Sequence, residues 1–435
     1  MNTEGDVQDS MFPKLTAGPS LRATVERIVD TLLQKHTLKM CPNRHGLYPA
    51  SSSQADISAT GMHHTWLRDN VMVGHSLLAT GEFDAAVRCA HGLMSFALTQ
   101  APKMEAIIEF PAFKHNMQDR PHARFDGQVL RETNQPWGHG QSDAWGYLAW
   151  FVAGLSCTSH MALSSEEEQL LFLIPRYMDA IEYHIDADNG TWEEDPKVNS
   201  SSIAACIAGL RAISRYAEVL GRGAASSAIS ALTEPLILRG FRTLNNHLPF
   251  ESPPSRMIDA AVLFAVYPTG VISDRYMQDL VISLIQSRLA GPRGTRRYLG
   301  DSYYCQDYDQ WFDQVTRSND HGLSNALRNQ FLEPGMEAQW CIFDPILSTI
   351  YGERYLERGE LADLARQLRF ANRSLSQVAP TFQCPELYYS SAGRWIPNVH
   401  TPLLWTQANL AIAIKTLRRS AERYQELSTE RTSGG

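Results

Sequence analysis

The sequence predicts an all-α protein, a closed (α/α)6 toroid of about twelve helices with long loops gathered on one face. Three observations predict it. Apolar residues recur at helical spacing through most of the 435 residues. Segments with strand alternation are scarce and short. The connections between helices alternate between short and long.

The helices follow in order, at roughly 20–36, 67–80, 83–100, 141–156, 165–185, 200–219, 223–245, 256–267, 273–289, 335–350, 353–375 and 401–426. The first carries Leu21, Val25, Ile28, Val29 and Leu32 on one face behind Ser20. Ser164 and Glu167 have the spacing of a capping box before Leu170 and Leu171. In the sixth, Ile203, Ile207, Leu210, Ile213, Ala217 and Leu220 form one apolar stripe. Ser200 or Ser201 is placed to cap its start, and Gly221 to end it. Thr401-Pro402 suits an N-cap and first helical position. Pro175 and Pro345 fall inside two of the segments, so those two helices are kinked or start later.

Connections after the even helices span only about 2–8 residues, as expected between packed antiparallel helices. Those after the odd helices run over 37–66, 101–140, 186–199, 246–255, 290–334 and 376–400. Antiparallel helices put alternate connections at opposite ends, so six long loops share one face and line a pocket there. The chain is expected to divide into an N-terminal extension (1–19), a single toroidal domain (20–426) and a flexible C-terminal tail (427–435).

Composition removes several function classes. The 39 Lys and Arg against 47 Asp and Glu give a net charge of −8, whereas a nucleic-acid partner would want a basic face. No segment reaches the ~18 uninterrupted apolar residues of a membrane span. The N-terminal MNTEGDVQDSMFPKL has acids and no apolar run, so no secretory signal is expected there. The seven cysteines include no CxxC pair, which favours a reduced, cytoplasmic setting. No HExxH, cysteine cluster, P-loop or GxSxG elbow occurs, so neither a metal nor a cofactor is expected.

The long loops carry the chemistry. They hold His63-His64-Thr65-Trp66-Leu67-Arg68-Asp69-Asn70, Pro136-Trp137-Gly138-His139-Gly140-Gln141-Ser142-Asp143 and Gly190-Thr191-Trp192-Glu193-Glu194-Asp195. Further along come Arg296-Arg297-Tyr298-Leu299-Gly300-Asp301-Ser302-Tyr303-Tyr304 and Cys384-Pro385-Glu386-Leu387-Tyr388-Tyr389 with Gly393-Arg394-Trp395. Each cluster mixes aromatic rings with carboxylates or arginine. A sugar needs that mixture: rings cover its C–H face, and acids and arginines bond its hydroxyls. Glycosidic cleavage needs two carboxyl groups flanking the bond. One of the acids beside Trp192 is a candidate to keep a proton near neutrality, because neighbouring acids and a ring disfavour ionisation. Glu386 is a credible second carboxylate. Each cluster alone also fits a blander role: a solvated turn for residues 192–195, a helix start for Asp69, a buried aromatic loop with an exposed acid for residues 385–389, a surface ion pair for Arg297 and Asp301; His63 and His64 fit pocket or core places better than metal ligation. The weight comes from five clusters on one face.

The chain resembles the glucoamylase-like family, glycoside hydrolase family 15, and the related catalytic-like domains of the phosphorylase kinase alpha and beta subunits. The kinase-subunit likeness lies in residues 45–51, Trp66-Leu67-Arg68-Asp69-Asn70, Trp137-Gly138, residues 199–203, residues 248–252, Glu386-Leu387-Tyr388-Tyr389 and Pro402-Leu403-Leu404-Trp405. The glucoamylase likeness is sharpest at Trp192-Glu193-Glu194. The resemblance implies an (α/α)6 toroid with Glu193 as general acid and Glu386 as general base. It implies that Trp66, Arg68 and Asp69 grip the terminal glucose, and that Trp137 is a platform with Gln141 and Asp143 following it. Trp192 flanks the acid, Glu194 holds the sugar beyond the cleavage point, and Arg297, with Asp301 nearby, contacts sugar. The implied activity is inverting, exo-acting release of β-glucose from soluble α-glucans or maltooligosaccharides. The alternatives are a non-catalytic glucan-binding regulatory protein, or a hydrolase of another α-glucoside such as trehalose. The oligomeric state is not fixed by any of these residues.

Overall fold

A computed structural model describes residues 10–53, 61–134, 137–158, 160–221, 223–313 and 323–433. Among these, six helices form an inner ring: α2 (Leu67–Thr80), α4 (Ser142–Ser156), α6 (Ser200–Leu220), α8 (Leu263–Val266), α12 (Phe343–Arg358) and α14 (Leu404–Ser433). Consecutive members pack on one another and α14 returns to α2. The step from α8 to α12 is made by Phe264 stacked on Phe343, centroids 5.9 Å apart. Six more helices lie outside: α1 (Leu21–Gln34), α3 (Phe83–Glu109), α5 (Ser165–Ile181), α7 (Ala224–His247), α9 (Arg275–Arg288) and α13 (Leu361–Ser376). The short α10 (Tyr308–Trp311) and α11 (Leu323–Arg328) sit within the fifth long connection. The expected toroid is the observed one.

The ring closes tightly where side chains vanish. A Cβ on Gly146 would lie 2.5 Å from the Ala205 carbonyl carbon, and one on Gly209 would lie 2.6 Å from the Gly146 oxygen. These two glycines let the α4 and α6 backbones touch. The inner helices all begin on the loop-bearing face, so their unsatisfied N–H groups point there. Carboxylates from neighbouring loops answer two of them. Asp188 accepts from the Ser142 N–H (3.1 Å) at the head of α4, and Glu251 from the Ser201 N–H (3.2 Å) at the head of α6.

Local expectations fared unevenly. Ser164 and Glu167 form the capping box: the Ser164 hydroxyl accepts from the Glu167 N–H (3.2 Å) and the Glu167 carboxylate from the Ser164 N–H (2.9 Å). α6 begins at Ser200 with Asn199, not a serine, at the N-cap. α14 begins at Leu404, so Thr401-Pro402 precedes the helix. Pro175 lies inside α5, whereas α12 starts late enough to put Pro345 in its first turn, where no N–H is needed. The eighth helix shrinks to a 3-10 turn (Ala260–Val262) and α8. The expected helix over 335–350 is displaced because Gln339–Trp340 forms a strand instead.

Two small antiparallel sheets stand on the loop face. β1 (Thr65–Trp66) pairs with β2 (Arg124–Asp126), which pairs with β3 (Arg131–Glu132). β4 (Gln339–Trp340) pairs with β5 (Leu387–Ser391), which pairs with β6 (Arg394–Pro397). At the N-terminal side, residues 1–9 lie outside the described residues, while Phe12 and Leu15 are buried in a second apolar cluster beside α1, α13 and α14. α14 runs to Ser433, through the segment where a tail was expected, of which 434–435 lie outside the described residues.

Candidate active site

A pocket of about 710 Å³, counted to its open mouth, sits over the ring where the inner helices begin. Its lining includes Trp66, Arg68, Asp69, Trp137, Trp192, Glu193, Arg297 and Glu386, eight of the residues picked from sequence. Thr191, Tyr303, Trp340 and Trp405 complete most of the wall. The floor is aromatic: Trp192 lies 5.5 Å from Trp340 and 6.1 Å from Phe343. Phe264 stacks on Trp405 at 5.2 Å.

The sheets place these groups. Pairing of Trp66 with Arg124 sets the start of α2, so Arg68 and Asp69 emerge in its first turn. Pairing of Trp340 with Leu387 fixes Glu386, whose carbonyl also accepts from the Cys341 N–H (2.9 Å). Glu193 comes from a tight turn. Gly190 has φ +63° and Glu193 itself has φ +58°, a left-handed conformation that a side-chain-bearing residue adopts at a cost of about 1 kcal/mol. The Glu193 and Glu194 N–H groups close it onto Gly190 and Asn189 carbonyls, both at 3.1 Å. The turn sends adjacent glutamates in opposite directions.

Glu193 faces the pocket. Its Oε1 accepts from Arg68 Nη2 (2.9 Å) and its Oε2 from Trp137 Nε1 (2.9 Å). Burial pushes its carboxyl above the ordinary range, opposed by the Arg68 and Arg124 guanidiniums and reinforced by Asp143. The neighbouring acids in sequence are not what raises it. Glu194 points behind the wall. It accepts from Arg297 Nη2 (3.0 Å), the Tyr298 hydroxyl (2.6 Å) and Arg256 Nη2 (2.7 Å). Burial opposes its ionisation, but Arg297 and Arg256 win and hold it well below the carboxylate range.

Asp143, Gln141 and Asp301 also lie behind the wall. Asp143 holds Arg68 Nη1 at 2.7 Å, and Asp301 grips Arg297 Nε and Nη2, both at 2.6 Å. Gln141 donates to the Gly138 carbonyl (2.9 Å). Neither His63 nor His64 lines the pocket; their rings meet at a 51° tilt, centroids 4.0 Å apart. Pro136 lies outside the described residues. Sequence reasoning missed Trp340, which it had placed in a helix, and Arg124, whose guanidinium lies over the Trp137 ring at 4.1 Å. Among the described residues no cluster of metal ligands occurs, and no helix is long and apolar enough to cross a membrane.

Asp69 is half-buried beside both Glu193 and Glu386. Burial pushes its carboxyl from 3.8 up to about 7; Arg68 opposes this and the two glutamates add to it. The folded protein therefore holds a proton there that the unfolded chain releases, and this contribution to stability is lost as pH rises from about 4 through about 7. Asp69→Asn is expected to raise the thermal midpoint at pH 8 and to leave it unchanged at pH 3.5, read by melting scans at both pH values. A gain of equal size at both would remove burial of the charge as its cause.

Residues 31–329 match glycosyl hydrolases family 15. Probable phosphorylase b kinase regulatory subunit alpha from Drosophila melanogaster is 26% identical over 308 residues, 64% of this chain and 23% of that protein. The chain thus spans less than a quarter of that relative's length. A glycosidase variant in complex with glucose superposes with a TM-score of 0.64 at 17% identity, covering 92% of this chain and 99% of that one. Glucoamylase from Saccharomycopsis fibuligera superposes with a TM-score of 0.58 at 12% identity, covering 96% and 99%. At these identities the two structures establish a shared toroid.

Proposed function

The chain belongs to glycosyl hydrolases family 15, and from that premise we propose that it is an inverting, exo-acting α-glucosidase acting on soluble α-glucans or maltooligosaccharides. The observation that carries the reading is the meeting of Glu193 and Glu386, 193 positions apart in the chain, in the lining of one aromatic pocket. In this reaction Glu193, whose carboxyl burial shifts toward the protonated form, gives its proton to the glycosidic oxygen. Glu386 takes a proton from water, whose oxygen attacks the anomeric carbon from the opposite face as the glycosidic bond breaks. β-Glucose leaves. Trp66, Trp137, Trp192 and Trp340 supply ring faces for the sugar, while Arg68, Asp69 and Arg297 supply hydrogen bonds to its hydroxyls. Asp143, Glu194 and Asp301 act at one remove, by fixing the arginines. A glucose-bound glycosidase with the same fold supports the choice of sugar. The reduced, cytoplasmic setting belongs to the same proposal, supported by seven unpaired cysteines.

A second reading has its own support, because the Drosophila relative is by name a regulatory subunit. On that reading the pocket binds α-glucan without cleaving it. Incubation with maltotriose, followed by proton NMR of the anomeric region, separates the two. The hydrolase reading expects β-glucose as the first product. Calorimetric binding of maltotriose with no product after prolonged incubation would overturn it in favour of the sensor.

A further inference from the structure

Glu386 is held on one side by a pair of side chains that no motif pointed to. Its Oε2 accepts from His400 Nδ1 at 2.8 Å and from Asn398 Nδ2. Both donors come from the segment after β6. That segment is itself pinned by the Asn398 N–H on the Leu387 carbonyl (3.2 Å) and by the Thr401 hydroxyl on the Asn398 carbonyl (2.8 Å). Oε1 has no such partner among the described residues, and Glu386 lines the pocket.

His400 is fully buried, its ring edge-on to Tyr304 at 5.7 Å. Its Nε2 has no hydrogen-bond partner among the described residues. A carboxylate only accepts, so the proton on this imidazole sits on Nδ1. The ring therefore aims its Nδ1–H at one oxygen of Glu386.

We propose that His400 is a positioning residue for Glu386: with Asn398 it ties up Oε2, so that Oε1 alone is presented to the water the carboxylate activates. This rests on the reading of Glu386 as the base. The arrangement resembles other buried imidazole–carboxylate pairs with the roles exchanged: here the histidine orients and the carboxylate reacts. Without the two donors the carboxylate could rotate about its last bond and lose the aligned lone pair, which lowers turnover without weakening the grip on sugar. Other titratable groups around the pair are Asp69 across the pocket, the Cys341 and Cys384 thiols and the Tyr304 phenol. None of them changes in the variants below.

The test compares His400→Leu with His400→Asn, whose amide can return a donor near the Nδ1 position. With maltotriose, the Leu variant is expected to lose kcat by about tenfold or more while KM stays within about twofold. The acidic limb of its kcat profile moves to higher pH, since the ionised base has lost a donor. The Asn variant should recover most of kcat and the original limb. Equal losses in both variants with an unmoved limb, or no loss in either, overturn the proposal. Glu386→Gln keeps the two questions apart: if it retains turnover, the base assignment itself has failed, whereas an inactive Glu386→Gln beside an unaffected His400→Leu sinks only the positioning role. Should the Leu variant not fold, the wild-type protein still answers. With its 14 histidines labelled in nitrogen-15, one downfield Nδ1–H proton is expected to persist across the neutral range and to shift in Glu386→Gln. Its absence overturns the proposal.

Discussion

Glu386→Gln is expected to lower glucose release by about 10³-fold, and Glu193→Gln by a similar factor, since each removes a positioned proton acceptor or donor from the reaction. The two should differ in what else they disturb. Glu386 receives both of its donors on Oε2. A glutamine there can turn its oxygen to Asn398 and His400 and its amide to the pocket, so folding should be unaffected. Glu193 receives a donor on each oxygen, from Arg68 and from Trp137. A glutamine must point its NH2 at one of these N–H groups, a donor against a donor. Glu193→Gln should therefore also lose about 1–3 kcal/mol of stability, the cost of a buried polar group left unmatched. The measurement is initial β-glucose release from maltotriose alongside thermal unfolding of each variant. Wild-type turnover in both would falsify the two-carboxylate mechanism. Because Glu193 works as an acid, its deprotonation should set the alkaline limb of the rate profile, displaced upward in the direction burial moves this group.

Much of this architecture could be read from local spacing, and what could not has a physical reason. The stripe of Ile203, Ile207, Leu210 and Ile213 is buried as its 3.6-residue period demands. The Ser164–Glu167 box is a contact between residues three apart. Long loops alternating with short ones were enough to put the clusters on one face. The strands were illegible, because β1, β3 and β4 are two residues each, and β1 and β4 find partners dozens of positions away. A pattern of period two needs more length than that to be seen. The missing β4 displaced the helix expected over 335–350 and hid Trp340. His400 carried no signal, since nothing in Asn398-Val399-His400 marks it for a carboxylate fourteen positions upstream. In the Trp192-Glu193-Glu194 string the residues were legible but their directions were not. Only the left-handed turn at Glu193 decides that one acid enters the pocket and the next leaves it.

Arg297 shows how much of the site's rigidity lies behind its wall, and Arg297→Met should be the most destabilising single change there. The guanidinium is buried, with Asp301 bidentate on Nε and Nη2 and Glu194 also on Nη2. It lies about equally far, 5.1 Å, from the Trp192, Tyr303 and Trp340 rings. Methionine fills part of the volume but, among the described residues, leaves Asp301 only the Tyr303 N–H (3.0 Å) as donor, and Glu194 the donors of Arg256 and Tyr298. Breaking a buried pair from one side costs about 3–5 kcal/mol, because a buried charge is left uncompensated. At this chain length that is a fall of about 3–5 °C in the thermal midpoint. Arg297→Lys should recover little of it, because a single ammonium cannot reproduce a fork donating from two nitrogens. The pH dependence supplies the check. Arg297 holds the Glu194 carboxyl low, so its contribution is present above the ordinary carboxylate value of 4.5 and is lost as pH falls toward the depressed one. The gap between wild type and Arg297→Met should therefore be widest near neutrality and narrow steadily below pH 4.5. A gap of constant size down to pH 2.5 would assign the loss to packing against the three rings, not to the charge that Glu194 and Asp301 share.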